Sequence, residues 1–82
     1  MPETRPDLGG IKDEQQRTLG MSYWYLWRIV QERPDTLSAP VLAAVTGPHG
    51  LLSCLKAHMQ PETAHQIALA EGRYWRETSQ ID

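Results

Sequence analysis

Leu19, Tyr23, Leu26, Trp27 and Val30 recur at i, i+4, i+7, i+8 and i+11, which puts them on one face of a helix. Trp24, Tyr25 and Ile29 widen that apolar sector well past a single stripe. Asp13 is placed to cap the helix, with Gln16 three residues on as its capping-box partner. Pro34 ends it, because the residue before proline avoids the helical region. The pattern predicts a first helix over 13–33. Gly20 lies inside and costs about 1 kcal/mol relative to alanine, so a start near Ser22 is the alternative.

Residues 35–38 read as a turn. Ser38 is an N-cap candidate, Pro40 falls in the first helical turn where proline is tolerated, and Leu37 and Leu42 are spaced for a hydrophobic staple. The second helix, over 39–46, is apolar nearly all round, the pattern of a central element. Gly47-Pro48 ends it, glycine as the C′ residue and proline as the block to continuation. A third helix over 49–59 turns Leu51, Leu52, Leu55 and Met59 inward. Pro61 starts a fourth at the N1 position, with Glu62 in its first turn. Ala64, Ile67, Ala68, Gly72 and Trp75 are its expected inner side, flanked by Ala70 and Tyr74. Gly72 either ends this helix or marks a close helix–helix contact with Ala68. No segment alternates as a strand and no repeat is present.

These elements make an all-α fold: a compact bundle of three to four short helices with one longer, aromatic N-terminal helix. Residues 1–12, with two prolines and Gly9-Gly10, read as a flexible arm. Residues 13–77 form the single domain and 78–82 a polar tail.

Length and composition narrow the picture further. A chain of 82 residues holds one domain. It buries only about 60% of its unfolded surface, so many such chains pair with a second copy or a partner. Charged residues are 22% of the chain and the formal net charge is −2, which is no basis for general nucleic-acid binding. The single cysteine, Cys54, rules out an intramolecular disulfide. The N-terminal residues have no signal-peptide core and no apolar run reaches a membrane span, so a cytoplasmic location is expected. Asn and Phe are absent and lysine is scarce, a bias that suits a GC-rich bacterial or viral genome.

The residues offer four kinds of candidate chemistry. The run Tyr23-Trp24-Tyr25-Leu26-Trp27-Arg28 cannot all face one small core, since successive helical residues lie 100° apart. Trp, Tyr and Arg are the types enriched at binding hot spots. The bland reading is that the tryptophans fill the core while the tyrosine hydroxyls stay wet. For a metal, Cys54 and His58 stand at i, i+4, Glu62 and His65 form a Glu-x-x-His step, and His49 is a further donor. A structural zinc site wants four ligands and a di-iron site two such steps, so no metal and no cofactor is expected. Catalysis by Cys54 with His58 or His65 is disfavoured because the thiol lies in an apolar stretch, where it is ordinarily inert packing. Gly47-Pro48-His49-Gly50 is no phosphate loop. For DNA, residues 39–59 have the grammar of a helix-turn-helix, yet the second helix of that unit offers only Lys56, His58 and Ser53.

The expected function is therefore non-enzymatic: a small adaptor, regulator or inhibitor, of a size that suits a phage or mobile element, binding another protein. Tyr23, Trp24, Tyr25, Trp27 and Arg28 are the first candidates for the contact surface. Tyr74, Trp75 and Arg76 repeat the chemistry and come second. A homodimer through one of these patches is a further expectation. A DNA-binding helix-turn-helix regulator is the alternative.

Overall fold

The computed structural model describes residues 5–79. The first four residues of the expected arm and the last three of the expected tail lie outside them. The described chain is all-α: α1 (Glu14–Glu32), a 3₁₀ turn (Pro34–Thr36), α2 (Ala39–Thr46), α3 (Leu51–Ala57) and α4 (Pro61–Ser79). No strand occurs among the described residues.

Asp13 caps α1 as expected, its carboxylate accepting the Gln15 backbone N–H at 2.9 Å. Gln16 does not complete a capping box. It is buried, and its side-chain amide spans the α3–α4 junction instead. Nε2 donates to the His58 carbonyl at 3.2 Å. Oε1 accepts from the Gln60 backbone N–H and from the Thr63 hydroxyl, both at 2.9 Å. Gln60 precedes Pro61, so Gln16 satisfies a donor at the start of α4 that a local cap would otherwise take. Gly20 lies one turn further along α1, and the helix runs through it. A Cβ there would come within 2.9 Å of a Leu8 methyl and 3.4 Å of the Thr63 methyl. The glycine is the space into which these two side chains pack.

The contacts along the two long helices give their direction. Gln16 meets Gln60 and Thr63, Tyr23 meets Glu71, and Trp27 meets Tyr74 and Trp75. Both sequences rise together, so α1 and α4 lie parallel. The segment between them must return the full length, and the 3₁₀ turn, α2 and α3 do so. α3 runs back along α1, with His58 near Gln16 and Lys56 over the Tyr23 ring. The core is the seam between α1 and α4: Tyr23, Trp24 and Trp27 against Ile67, Ala70 and Tyr74. Met21 of α1, Leu52 and Leu55 of α3, and Met59 pack against it.

Several expectations are corrected. Residues 5–12 do not form a free arm: Leu8 and Ile11 are buried, and Arg17 Nη1 donates to the Ile11 carbonyl at 2.6 Å and the Lys12 carbonyl at 3.0 Å. α2 is not central. It packs on α3 with Val45 its one buried residue, while Pro40, Val41, Ala43 and Ala44 are exposed. Its neighbours decide this: α1 packs on α3 and α4, and α2 packs on α3. Ser38 precedes α2 but its side chain makes no capping bond. Gly47 is extended, at φ −64° and ψ 167°, and is no left-handed C′ residue. The inner face of α4 is Thr63, Ile67, Ala70 and Tyr74, at i, i+4, i+7 and i+11. Ala68 is exposed, α4 continues through Gly72, and a Cβ at Gly72 would meet nothing within 4 Å. The helix also extends into the expected tail, to Ser79.

Gly50 is needed for a reason visible only in the fold. A Cβ there would sit 2.6 Å from the Val45 carbonyl oxygen and 2.8 Å from that of Ala44. Gly50→Ala should open the α2–α3 turn and cost about 1–3 kcal/mol by overpacking. Gln16→Ala, which strands the Gln60 N–H and the His58 carbonyl, should cost about 2–3 kcal/mol. Urea unfolding followed by circular dichroism measures both, and a loss under 0.5 kcal/mol at either position would refute its assigned role.

Candidate functional site

The aromatic residues gather at one end of the α1–α4 pair. The Trp24 and Trp27 rings stack at 5.1 Å with an 18° interplanar angle. Tyr74 meets Trp27 edge-to-face at 5.1 Å and Trp24 at 6.5 Å. Trp75 closes the set, edge-to-face on Trp27 at 5.7 Å and on Tyr74 at 5.3 Å. The Arg28 guanidinium lies 5.0 Å from the Tyr74 ring centre and 5.9 Å from that of Trp24, and pairs with Glu32 one turn on. Such cation–π geometry holds the planar group against the rings.

The eight residues expected to meet a partner separate into three groups. Tyr23, Trp24, Trp27 and Tyr74 are in the core, with Trp24 only 1% exposed. They shape the surface from beneath and do not form it. Arg28 is half-buried. Tyr25 at 55% and Trp75 at 49% exposure reach the surface, as does Arg76. Ile29 and Leu69, not among the expected contacts, are also exposed apolar side chains. At 3.6 residues per turn both fall on the side of their helix away from its buried residues.

The other candidate chemistries are dispersed. No group of three or more His, Cys, Asp or Glu side chains able to hold a metal occurs among the described residues. Cys54 is exposed, contrary to the buried packing expected, with His49 carbonyl 3.9 Å from its sulfur. His58 uses Nδ1 on the Cys54 carbonyl at 2.8 Å, a contact within its own helix end. α2 and α3 do form two packed helices joined by a tight turn, but Lys56, the basic residue of the would-be recognition helix, lies 5.8 Å from the Tyr23 ring centre. A shallow groove of about 420 Å³ runs between Glu14, Gln15, Thr18, Leu19 and Ser22 of α1 and Leu55 of α3. No described helix is long and apolar enough to cross a membrane. Compared with family models, curated proteins and solved structures, the chain matches none.

Two phenols carry the clearest electrostatic signature. Burial, then the Glu71 charge and the hydrogen bond to Glu71 at 3.0 Å, push the Tyr23 pKa far above the ordinary value. Tyr74 is raised by burial, then by the Glu32 charge and a hydrogen bond to it, with Arg28 opposing. The fold thus favours both neutral phenols over their phenolates. That contribution is complete below pH about 10, the unfolded tyrosine value, and is lost as pH rises above it. Melting temperature should fall steeply above pH about 10. Tyr23→Phe should lower stability at neutral pH by about 1 kcal/mol, for the lost hydrogen bond, and flatten the alkaline slope. An unchanged slope would remove Tyr23 as its source.

Proposed function

We propose that this chain is a small non-enzymatic interaction module, an adaptor, regulator or inhibitor that binds another protein through the surface around Trp75 and Arg76, with Tyr25 and Ile29 of α1 as a second exposed apolar pair. The observation that supports this reading is the state of Trp75. It is half-exposed, yet its ring is held edge-to-face by Trp27 and Tyr74, both buried. A tryptophan fixed in this way has already given up much of the rotamer freedom that binding would otherwise cost. Tryptophan and arginine side by side are also the residue types that dominate binding energy. Arg28 and Glu32, locked together beside Tyr74, supply a charged border to the aromatic end.

Trp75→Ala should leave helicity intact and lower the melting temperature only slightly, because half of the side chain is already in water. It should weaken capture of a native partner at least tenfold, the loss of a hot-spot residue. Trp24→Ala is the contrast: it should destabilise the fold by about 3–5 kcal/mol. Affinity purification from the native cell with both variants, alongside circular dichroism, tests the assignment. A Trp75→Ala chain that captures the same partner equally well would sink it.

A further inference from the structure

Both long helices contain a glycine, and the fold explains only one of them. The space at Gly20 is filled by Leu8 and Thr63, whereas a Cβ at Gly72 would meet nothing within 4 Å. Glycine is the costliest residue in a helix interior after proline, so nothing inside the molecule accounts for its place in α4. A glycine on a helix surface leaves room for another main chain to approach closely. At 3.6 residues per turn Gly72 lies opposite the buried stripe of Thr63, Ile67, Ala70 and Tyr74. Trp75 stands on one side of it, with Leu69, Arg73 and Arg76 on the other.

The available charge around Gly72 is positive. Arg73 Nη2 donates to the Arg5 carbonyl at 3.2 Å, and Arg76 is exposed. Among the described residues neither guanidinium pairs with a carboxylate. The carboxylates near this end of α4 are engaged or turned away. Glu71 accepts from the Tyr23 hydroxyl, Glu32 pairs with Arg28, and Glu77 buries its Oε2. Glu62 lies on the same helix but about 15 Å away along its axis, beyond the screening length of about 8 Å.

We propose that the outer face of α4 receives an acidic segment of the partner protein. Its main chain crosses the helix at Gly72, its carboxylates meet Arg73 and Arg76, and an apolar side chain settles between Trp75 and Leu69. Guanidinium groups suit carboxylates because the planar fork can donate to both oxygens. Two local cations on a chain of net charge −2 favour such a segment over a nucleic acid, which needs a broad basic surface. This inference rests on the reading of the Trp75 surface as a protein-binding site, and names the chemistry of what binds there.

The test titrates the full chain into a labelled short peptide of glutamates around one central leucine, at low salt, followed by fluorescence anisotropy. The peptide should bind, and the same peptide with lysine for glutamate should not. Arg73→Glu and Arg76→Glu should each weaken binding at least tenfold with helicity unchanged, while Lys12→Glu leaves it unchanged. Gly72→Leu should give the distinguishing pair of effects: a higher melting temperature, from the better helix former in open space, and binding at least tenfold weaker. Failure of the glutamate peptide to bind overturns the proposal, as does full affinity in the two arginine variants or in Gly72→Leu. Tighter binding of a single-stranded oligonucleotide overturns it in favour of nucleic acid. A tenfold gain in the Glu3→Gln/Asp82→Asn chain would make the chain's own ends the occupant. A mass of twice the monomer that Gly72→Leu abolishes would make it a second copy. Trp75→Ala separates the two readings: if it weakens binding and the arginine variants do not, the Trp75 surface stands and the acidic partner falls. The reverse result keeps the acidic segment and removes Trp75.

Discussion

The three hydrogen bonds of the Gln16 side chain determine how the rest of this molecule is put together. One amide joins α1 to the last carbonyl region of α3 and to the first free donor of α4. Because donor and acceptor are rigidly paired in one planar group, both sides of the α3–α4 turn are held at the N-terminal end of α1. A buried amide of this kind carries a high penalty if any partner is missing. It therefore sets register as much as it adds stability. From that point α4 can run only alongside α1, and Gly20 admits the Leu8 and Thr63 side chains one turn above.

The parallel arrangement has consequences at the other end. Two helices that start together also finish together, so Trp24, Trp27, Tyr74 and Trp75 converge where the pair ends. Offset and edge-to-face contacts there use the ring quadrupoles, each worth about 0.5–1.5 kcal/mol beyond the area buried. Arg28 and Glu32 border the cluster; burial and then the Glu32 charge keep the Tyr74 phenol neutral, with Arg28 opposing. The parallel pair also needs a return path. α2 and α3 provide it, and the cost is that the apolar α2 is left on the outside.

Much of the local structure was legible from the chain. Asp13, Pro34 and Pro61 mark element ends by mechanisms that depend only on the backbone, and each boundary falls where those residues place it. The aromatic run is too broad for one core, and Tyr25 is exposed; Trp75, expected on the inner side of α4, is exposed as well. Which members lie inside was not legible. The stripe from Leu19 to Val30 and the buried set Gln16, Gly20, Tyr23, Trp24 and Trp27 differ by a modest rotation of one helix. On α4 a larger rotation, in the opposite sense, moves Tyr74 inward and Trp75 outward. An apolar sector wider than a stripe leaves that angle undetermined, and a polar anchor such as Gln16 lies outside any search for hydrophobic periodicity.

By itself, then, the sequence determined an all-α chain, the ends of its helices and the presence of more aromatic surface than one small core absorbs. Caps, prolines and 3.6-residue periodicity act within a few residues, so they can be read without knowing the neighbours. The tertiary structure alone decided that α1 and α4 are parallel, that the most apolar helix is peripheral, and that Trp75 and not Trp24 meets solvent. Those outcomes depend on hydrogen bonds and packing between residues more than forty positions apart, such as Gln16 with Thr63 and Tyr23 with Glu71. No local pattern encodes such pairs, because each partner is satisfied only when the other arrives.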